Sequence, residues 1–402
     1  MAATPSFDEN LLQRPWTERL EFFRSKKVAH TKLIAVTQEI KRHIILRASE
    51  GFIFIVGPTR IGKTTVCASI HGSLLKDAIQ EMQADPGLLP IAGMEASAYS
   101  ARYNWRDHWY GSLDALNEPQ IDHKIDYNSS RGPHIRPTEA TAETRREATL
   151  RRSFENSARH RKLKVFSIDE AQHLTLVPSA RMHRSQLEII KSSASKSGAM
   201  HLLFGTYDLL KLRNASGQLG TRAVTVHFGR YLPIDSDLTS FAKVVDALVS
   251  FMPLPEPPDF TDTDLEYIFE TSLGCVGLMK VWFIDVLGYA LEADKKTLSI
   301  SDLERHSPPI DVREKICEEI VAGEKLLEQD TGKLRSIRLK LAKSTNPAKS
   351  TNRSSTEINA SPSPNDKGSS NQNGRKAKQG KRRPGERNPK RDAVGAGRKR
   401  SA

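Results

Sequence analysis

The chain has 402 residues, 38% of them hydrophobic, a length that suits one large or two modest domains with buried cores and excludes a single small fold. No run approaches the roughly 18 apolar residues of a membrane span, and Met1-Ala2-Ala3-Thr4-Pro5 lacks a basic-then-apolar leader, so a cytosolic protein with no membrane partner is expected. The formal net charge is +13, but residues 344–402 carry 15 Lys and Arg against 4 Asp and Glu, which leaves the rest of the chain nearly balanced.

Leu11, Leu12, Trp16, Leu20 and Phe23 recur at near-helical spacing and predict a helix within an N-terminal extension, residues 1–28. A second amphipathic helix is expected over Lys32–Ala48. The apolar run Phe52-Ile53-Phe54-Ile55-Val56 then reads as a strand that leads directly into Gly57-Pro58-Thr59-Arg60-Ile61-Gly62-Lys63-Thr64 and a helix from Lys63 to about Met82. This is a phosphate-binding loop in its strand-loop-helix setting. Its glycines let the backbone wrap closely around phosphates, and the helix N-terminus points unpaired amides and a positive dipole end at them. Gly57, Pro58, Thr59, Arg60, Ile61, Gly62, Lys63, Thr64 and Thr65 are therefore candidate nucleotide-binding residues. Lys63 is expected to reach the β- and γ-phosphates and Thr64 to hold Mg²⁺.

A second strand is expected near Leu89–Met94, a helix over Trp105–Leu116, and a polar loop from there to about Pro137. Leu150, Phe154 and Ala158 share one face of a charged helix over Thr141–His160. The run Leu163-Lys164-Val165-Phe166-Ser167-Ile168 then ends in Asp169-Glu170. An aspartate at the C-terminal end of a strand parallel to the loop strand faces the nucleotide and coordinates Mg²⁺, and the next carboxylate is placed to orient or deprotonate the attacking water. After a helix at Ser185–Ser195, His201-Leu202-Leu203-Phe204-Gly205 predicts another parallel strand, with Thr206 at its end either sensing the γ-phosphate or capping the helix Tyr207–Leu212. Residues 221–228 read as one more strand.

Alternating strands and helices predict an α/β fold, a P-loop nucleotide-binding domain over residues 29–233 with a parallel-sheet sandwich. After Pro233 the pattern turns helical, at Asp235–Met252, Asp262–Ser272, Gly277–Ala293 and Ser301–Ala322, the last interrupted by Ser307-Pro308-Pro309. This predicts a helical lid domain, residues 234–325. Residues 326–402 form a linker and a Ser-, Asn-, Pro- and Gly-rich basic tail, expected to be disordered and to favour a polyanion such as DNA. Cys67, Cys275 and Cys317 are scattered and read as reduced thiols.

The order of phosphate loop, Asp-Glu strand end, polar sensor strand and helical lid resembles an AAA+ ATPase. Leu163–Leu174, LKVFSIDEAQHL, is similar to the TnsC/TniB family of transposon-encoded ATPases, as are Phe204-Gly205-Thr206-Tyr207-Asp208-Leu209-Leu210, Gln218-Leu219-Gly220-Thr221-Arg222, His227-Phe228-Gly229-Arg230-Tyr231 and Gly274–Lys280. The resemblance spans roughly residues 15–305. It implies an ATP- and Mg²⁺-dependent ATPase that regulates DNA transposition, forms rings or helical oligomers on double-stranded DNA, and works with a transposase and a target-selection protein of the TniQ/TnsD type in a bacterial cytosol. It further implies that a neighbouring subunit supplies an arginine to the site, with Arg222 the first candidate and Arg230, which could face either the interface or its own nucleotide, the second, beside Glu170, Lys63 and Thr206. Arg102, Tyr103, Lys124 and Arg131, near loops after the second strand, are candidate contacts to a central duplex. One departure stands out. Gly277 occupies the stretch where related initiator-type ATPases place a lid arginine, and Lys280 is the nearest cation, which is consistent with slow hydrolysis acting as a timer. Two other readings are a nucleotide-gated signalling or scaffold module and a helicase-loader or initiator-like ATPase, the latter disfavoured because no reader domain is evident after residue 305.

Overall fold

The structure is a computed structural model that describes residues 6–47, 51–97, 102–124, 139–177, 179–215 and 223–328. Arg131, Arg222, the segment Gln218–Thr221 and the basic tail lie outside the described residues. All the described residues belong to one compact unit that runs to Asp330.

Helices α1 (Trp16–Ser25) and α2 (Thr31–Arg47) precede strand β1 (Phe52–Val56). They are followed by α3 (Lys63–Asp77), α4 (Ile79–Ala84), β2 (Ile91–Glu95), α5 (Trp105–Ala115), α6 (Glu139–His160), β3 (Val165–Asp169), α7 (Ala180–Ser197), β4 (Met200–Gly205), α8 (Leu210–Asn214) and β5 (Ala223–His227). Helices α9 (Asp235–Ser250), α10 (Asp262–Ser272), α11 (Val276–Glu292), α12 (Ile300–Arg305) and α13 (Ile310–Leu327) follow among the described residues. The strands form one sheet in the order β2-β3-β4-β1-β5, every pairing parallel. A parallel sheet buried on both faces needs apolar residues at nearly every position, and β1 is buried at all five.

Its side chains alternate between two cores. Phe52, Phe54 and Val56 join Phe166, Leu203, Trp109, Leu150 and Phe154 on the face covered by α5, α6 and α7. Ile53 and Ile55 join Val36, Ile40, Val66 and Ile70 on the face covered by α2 and α3. A third core lies in the helical region, where Phe241, Val245, Ile268, Met279 and Phe283 pack with Leu20 and Phe23 of α1. The N-terminal helix is thus part of the helical layer's core, packed against α11. The apolar α10 and α11 meet at 109° and bury their faces in that core; no single helix among the described residues is long and apolar enough to cross a membrane.

Among the described residues, His30, His108 and His201 are buried neutral. Burial lowers His30 to about 4, with Lys32 adding to the effect, and lowers His201 to about 4; His108 falls to about 3 through burial and the nearby His201. In the unfolded chain each titrates near pH 6.5, so between there and about pH 4 the unfolded state binds more protons. Stability is therefore fullest above that range and falls as pH drops through it, by up to about 1.4 kcal/mol per pH unit for each histidine. Urea unfolding at about pH 7 and about pH 5 checks this. The midpoint is expected to fall markedly at the lower pH, and an unchanged midpoint would contradict the assignment.

Candidate functional site

The C-terminal ends of β1, β4 and β3 lie side by side, and each delivers one of the polar segments singled out in the sequence. The phosphate loop leaves β1 and turns into α3 through Gly62, whose φ of +112° lies in the region that favours glycine. Lys63 is only 6% exposed, and its ammonium donates to the carbonyls of Gly57 at 3.2 Å and Pro58 at 2.7 Å. Burial pulls its pKa below the ordinary lysine value, against the opposing pull of Glu170 and Asp169. A desolvated cation held by loop carbonyls is suited to exchange them for phosphate oxygens. Pro58 and Ile61 are buried, Thr59 and Thr65 half-buried, Arg60 and Thr64 exposed.

Thr64 Oγ1 donates to Asp169 Oδ2 at 2.7 Å, which brings together the two residues expected to hold Mg²⁺. Hydroxyl and carboxylate oxygens are the hard donors that Mg²⁺ takes, so the pair fits that ion. Glu170 follows in the left-handed region, φ +50°, and its N–H donates to Asp169 Oδ1 at 2.9 Å. This turn directs the two consecutive carboxylates differently. Thr206, at the end of β4, makes no capping bond to the 3-10 turn Tyr207–Leu209, so its side chain is not there to close a helix.

Two residues given no role from the sequence complete the constellation. Gln172 bridges Glu170 and the Thr206 N–H. Glu324 of α13 accepts two bonds from Arg230, Nε at 3.1 Å and Nη2 at 3.2 Å, in a pair about one-fifth exposed. Burial works against the Arg230 charge, but Glu324 outweighs it, so the guanidinium's pKa is raised. Burial pushes the Cys275 thiol up to about 12, with the Arg230 and Lys63 charges opposing the rise and Glu324 adding to it. Nearby, α13 packs over Tyr207, whose hydroxyl lies 2.9 Å from His227 Nε2.

Several expectations change. Arg230 is paired with Glu324 of its own chain. Gly277 is a place where no side chain fits, since a Cβ there would lie 1.9 Å from the Arg60 carbonyl oxygen; α11 sits directly on the phosphate loop. Lys280 points away and donates to the carbonyls of Arg24 and Lys26, so it is not a substitute lid cation. Tyr103 is 8% exposed, its hydroxyl 2.6 Å from His108 Nδ1 amid Trp105 and Trp109, which makes it a core residue and not a DNA contact. Lys124 is engaged by Glu118 at 2.9 Å, a carboxylate shared with Arg161. Arg102 is exposed. A groove of about 680 Å³ between α1, α11 and α13 has a mixed lining of apolar and charged side chains and takes only Arg60 from the loop. The chemistry is at the strand ends instead.

Residues 46–212 match the family model described as AAA domain. The chain thus carries an AAA-type domain on an AAA+ P-loop fold and is an ATPase. Among solved structures it is similar to the Aeropyrum pernix ORC2 protein in its ADP form, at 14% identity over 71% of each chain with a TM-score of 0.46. It is also similar to Drosophila ORC bound to DNA, at 11% identity over 85% of each chain with a TM-score of 0.43. Domain III of the Thermotoga maritima replication initiation protein DnaA matches at 13% identity, 71% of this chain and 94% of that one, with a TM-score of 0.39. No curated protein matches the sequence.

The Arg230–Glu324 pair predicts a measurable coupling. Glu324→Gln and Arg230→Ala should each cost about 2 kcal/mol of stability, and the double variant clearly less than their sum. Urea titrations of the four proteins check it; strict additivity would show that the pair is not formed.

Proposed function

We propose that the chain is an ATP-dependent regulator of DNA transposition that assembles on double-stranded DNA and recruits or activates a transposase, with hydrolysis timing its release. The observation that carries the ATP cycle is the 2.7 Å contact between Thr64 of the phosphate loop and Asp169 of β3, with Glu170 next in line. The transposition assignment rests on the likeness of LKVFSIDEAQHL and the motifs after it to TnsC/TniB ATPases.

In this reading Lys63 leaves the carbonyls of Gly57 and Pro58 for the β- and γ-phosphates, and the loop and α3 N–H groups cradle the remaining oxygens. Thr64 and Asp169 would hold Mg²⁺, which when bound neutralises phosphate charge. Glu170 accepts a proton from water as the water oxygen bonds to the γ-phosphorus and the bond to the β–γ bridging oxygen breaks, giving ADP and hydrogen phosphate. Thr206 reports the state of that water or phosphate from the end of β4. An arginine of a neighbouring copy, Arg222 first, neutralises the charge that develops. Because hydrolysis then needs an adjacent copy, turnover follows assembly. Duplex contact comes from Arg102, Arg131 and the basic tail, and a target-selection protein of the TniQ/TnsD type directs the cytosolic complex.

The test uses point variants of the whole chain with Mg²⁺, ATP and a duplex. Lys63→Ala should lose nucleotide binding and ATP-dependent DNA association together. Glu170→Gln should keep ATP and remain on DNA, with turnover reduced on the order of a hundredfold or more. DNA association of the parent should fall steeply as salt rises and show little sequence preference. Parental turnover in Glu170→Gln would remove that residue from the base role, and DNA association indifferent to Lys63→Ala would separate nucleotide from DNA.

A further inference from the structure

Gln172 stands two residues beyond Glu170, in the 3-10 turn Ala171–Thr175, and its side-chain amide joins the ends of two strands. Its Nε2 donates to Glu170 Oε2, and its Oε1 accepts from the backbone N–H of Thr206 at 3.1 Å. A carboxylate only accepts and a backbone N–H only donates, so this bridge needs one group that does both, and the two partners decide which way the amide faces. The turn that delivers it is braced. Thr175 Oγ1 donates to the Gln172 carbonyl at 2.7 Å, and His173 N–H donates to the Glu170 carbonyl at 3.0 Å. Gly205 leaves the room the amide uses, since a Cβ there would lie 2.7 Å from Gln172 Oε1.

We infer that Gln172 is a positioning residue for hydrolysis, whose amide ties the Glu170 carboxylate to the Thr206 backbone so that the sensor strand governs where the base points. The inference rests on Glu170 being the base. The strand β4 lies between β1 and β3, so it touches both the strand that carries the phosphate loop and the strand that carries the carboxylates. A shift of Thr206 on meeting a phosphate or its water pulls on Gln172 Oε1, and the same rigid amide moves Glu170 from its parked position. Neither Ala nor Glu at 172 can transmit this: the first has no amide, and the second sets a carboxylate against a carboxylate and loses the donor.

The experiment measures ATP turnover, binding of a fluorescent ATP analogue, and thermal unfolding, for the full chain with Mg²⁺. Gln172→Ala is expected to lower kcat on the order of tenfold to a hundredfold while the Kd of the analogue is unchanged. Gln172→Glu, which loses the donor, is expected to lower kcat likewise with the Kd of the analogue unchanged. A residue that merely braced the fold would lower Tm and weaken binding of the analogue together with kcat. Gly205→Ala keeps Gln172 but crowds its Oε1, and should reproduce the kcat loss, which covers the case in which a variant at 172 does not fold. Parental kcat in Gln172→Ala and Gly205→Ala, or a Kd that rises in step with the loss of kcat, overturns the inference. Glu170→Gln separates the two levels. If it is inactive while Gln172→Ala is parental, the bridge alone fails; if it too is parental, the base assignment fails with it.

Discussion

Parallel pairing of β1 with β4 and of β4 with β3 is the constraint on which everything else depends. It sends the C-terminal ends of three strands to one edge of the sheet, and the loops that follow them carry the phosphate loop, the Asp169-Glu170 pair and Thr206. Residues 105 positions apart meet there, as Thr64 and Asp169 do at 2.7 Å. The pairing holds because both faces of β1 are buried, which fixes register by burying Phe52, Phe54 and Val56 on one side and Ile53 and Ile55 on the other. A one-residue slip would exchange the two sets and separate the site.

Over this edge lies a helical layer that is wired into the site. Helix α11 meets the loop backbone at Gly277 and Arg60. Helix α13 brings Glu324 to Arg230 and packs over Tyr207. The two bonds from Arg230 to Glu324 thus tie α13 to the segment that follows β5. The absence of a side chain at 277 follows from the same close packing. A layer this near the loop leaves no space for a lid arginine there.

The sequence was most legible where local pattern and burial agree. Strand Phe52–Val56 and helix Asp262–Ser272 have the bounds read from their apolar runs, because Gly57 follows the strand and Thr261 forms a capping box with Asp264 before the helix. The break between α3 and α4 at Ala78 was missed, having no Gly or Pro to mark it. In the site, Lys63, Thr64, Asp169 and Glu170 were legible because phosphate chemistry imposes their types and spacing. Gln172 was in view beside Glu170, yet its role depends on the Thr206 N–H from another strand. Glu324 was one acid among many on an amphipathic helix. Tyr103 looked like a loop aromatic, but its burial against His108 and Trp105 is a tertiary fact that no local pattern carries.

The central claim is that nucleotide held at these strand ends controls assembly of the chain on duplex DNA. Sedimentation velocity of the full chain with a short duplex tests it most directly, comparing a slowly hydrolysed ATP analogue, ADP and no nucleotide in the presence of Mg²⁺. The account predicts large DNA-bound oligomers with the analogue and small species with ADP or none. The same sedimentation profile in all three conditions would contradict it.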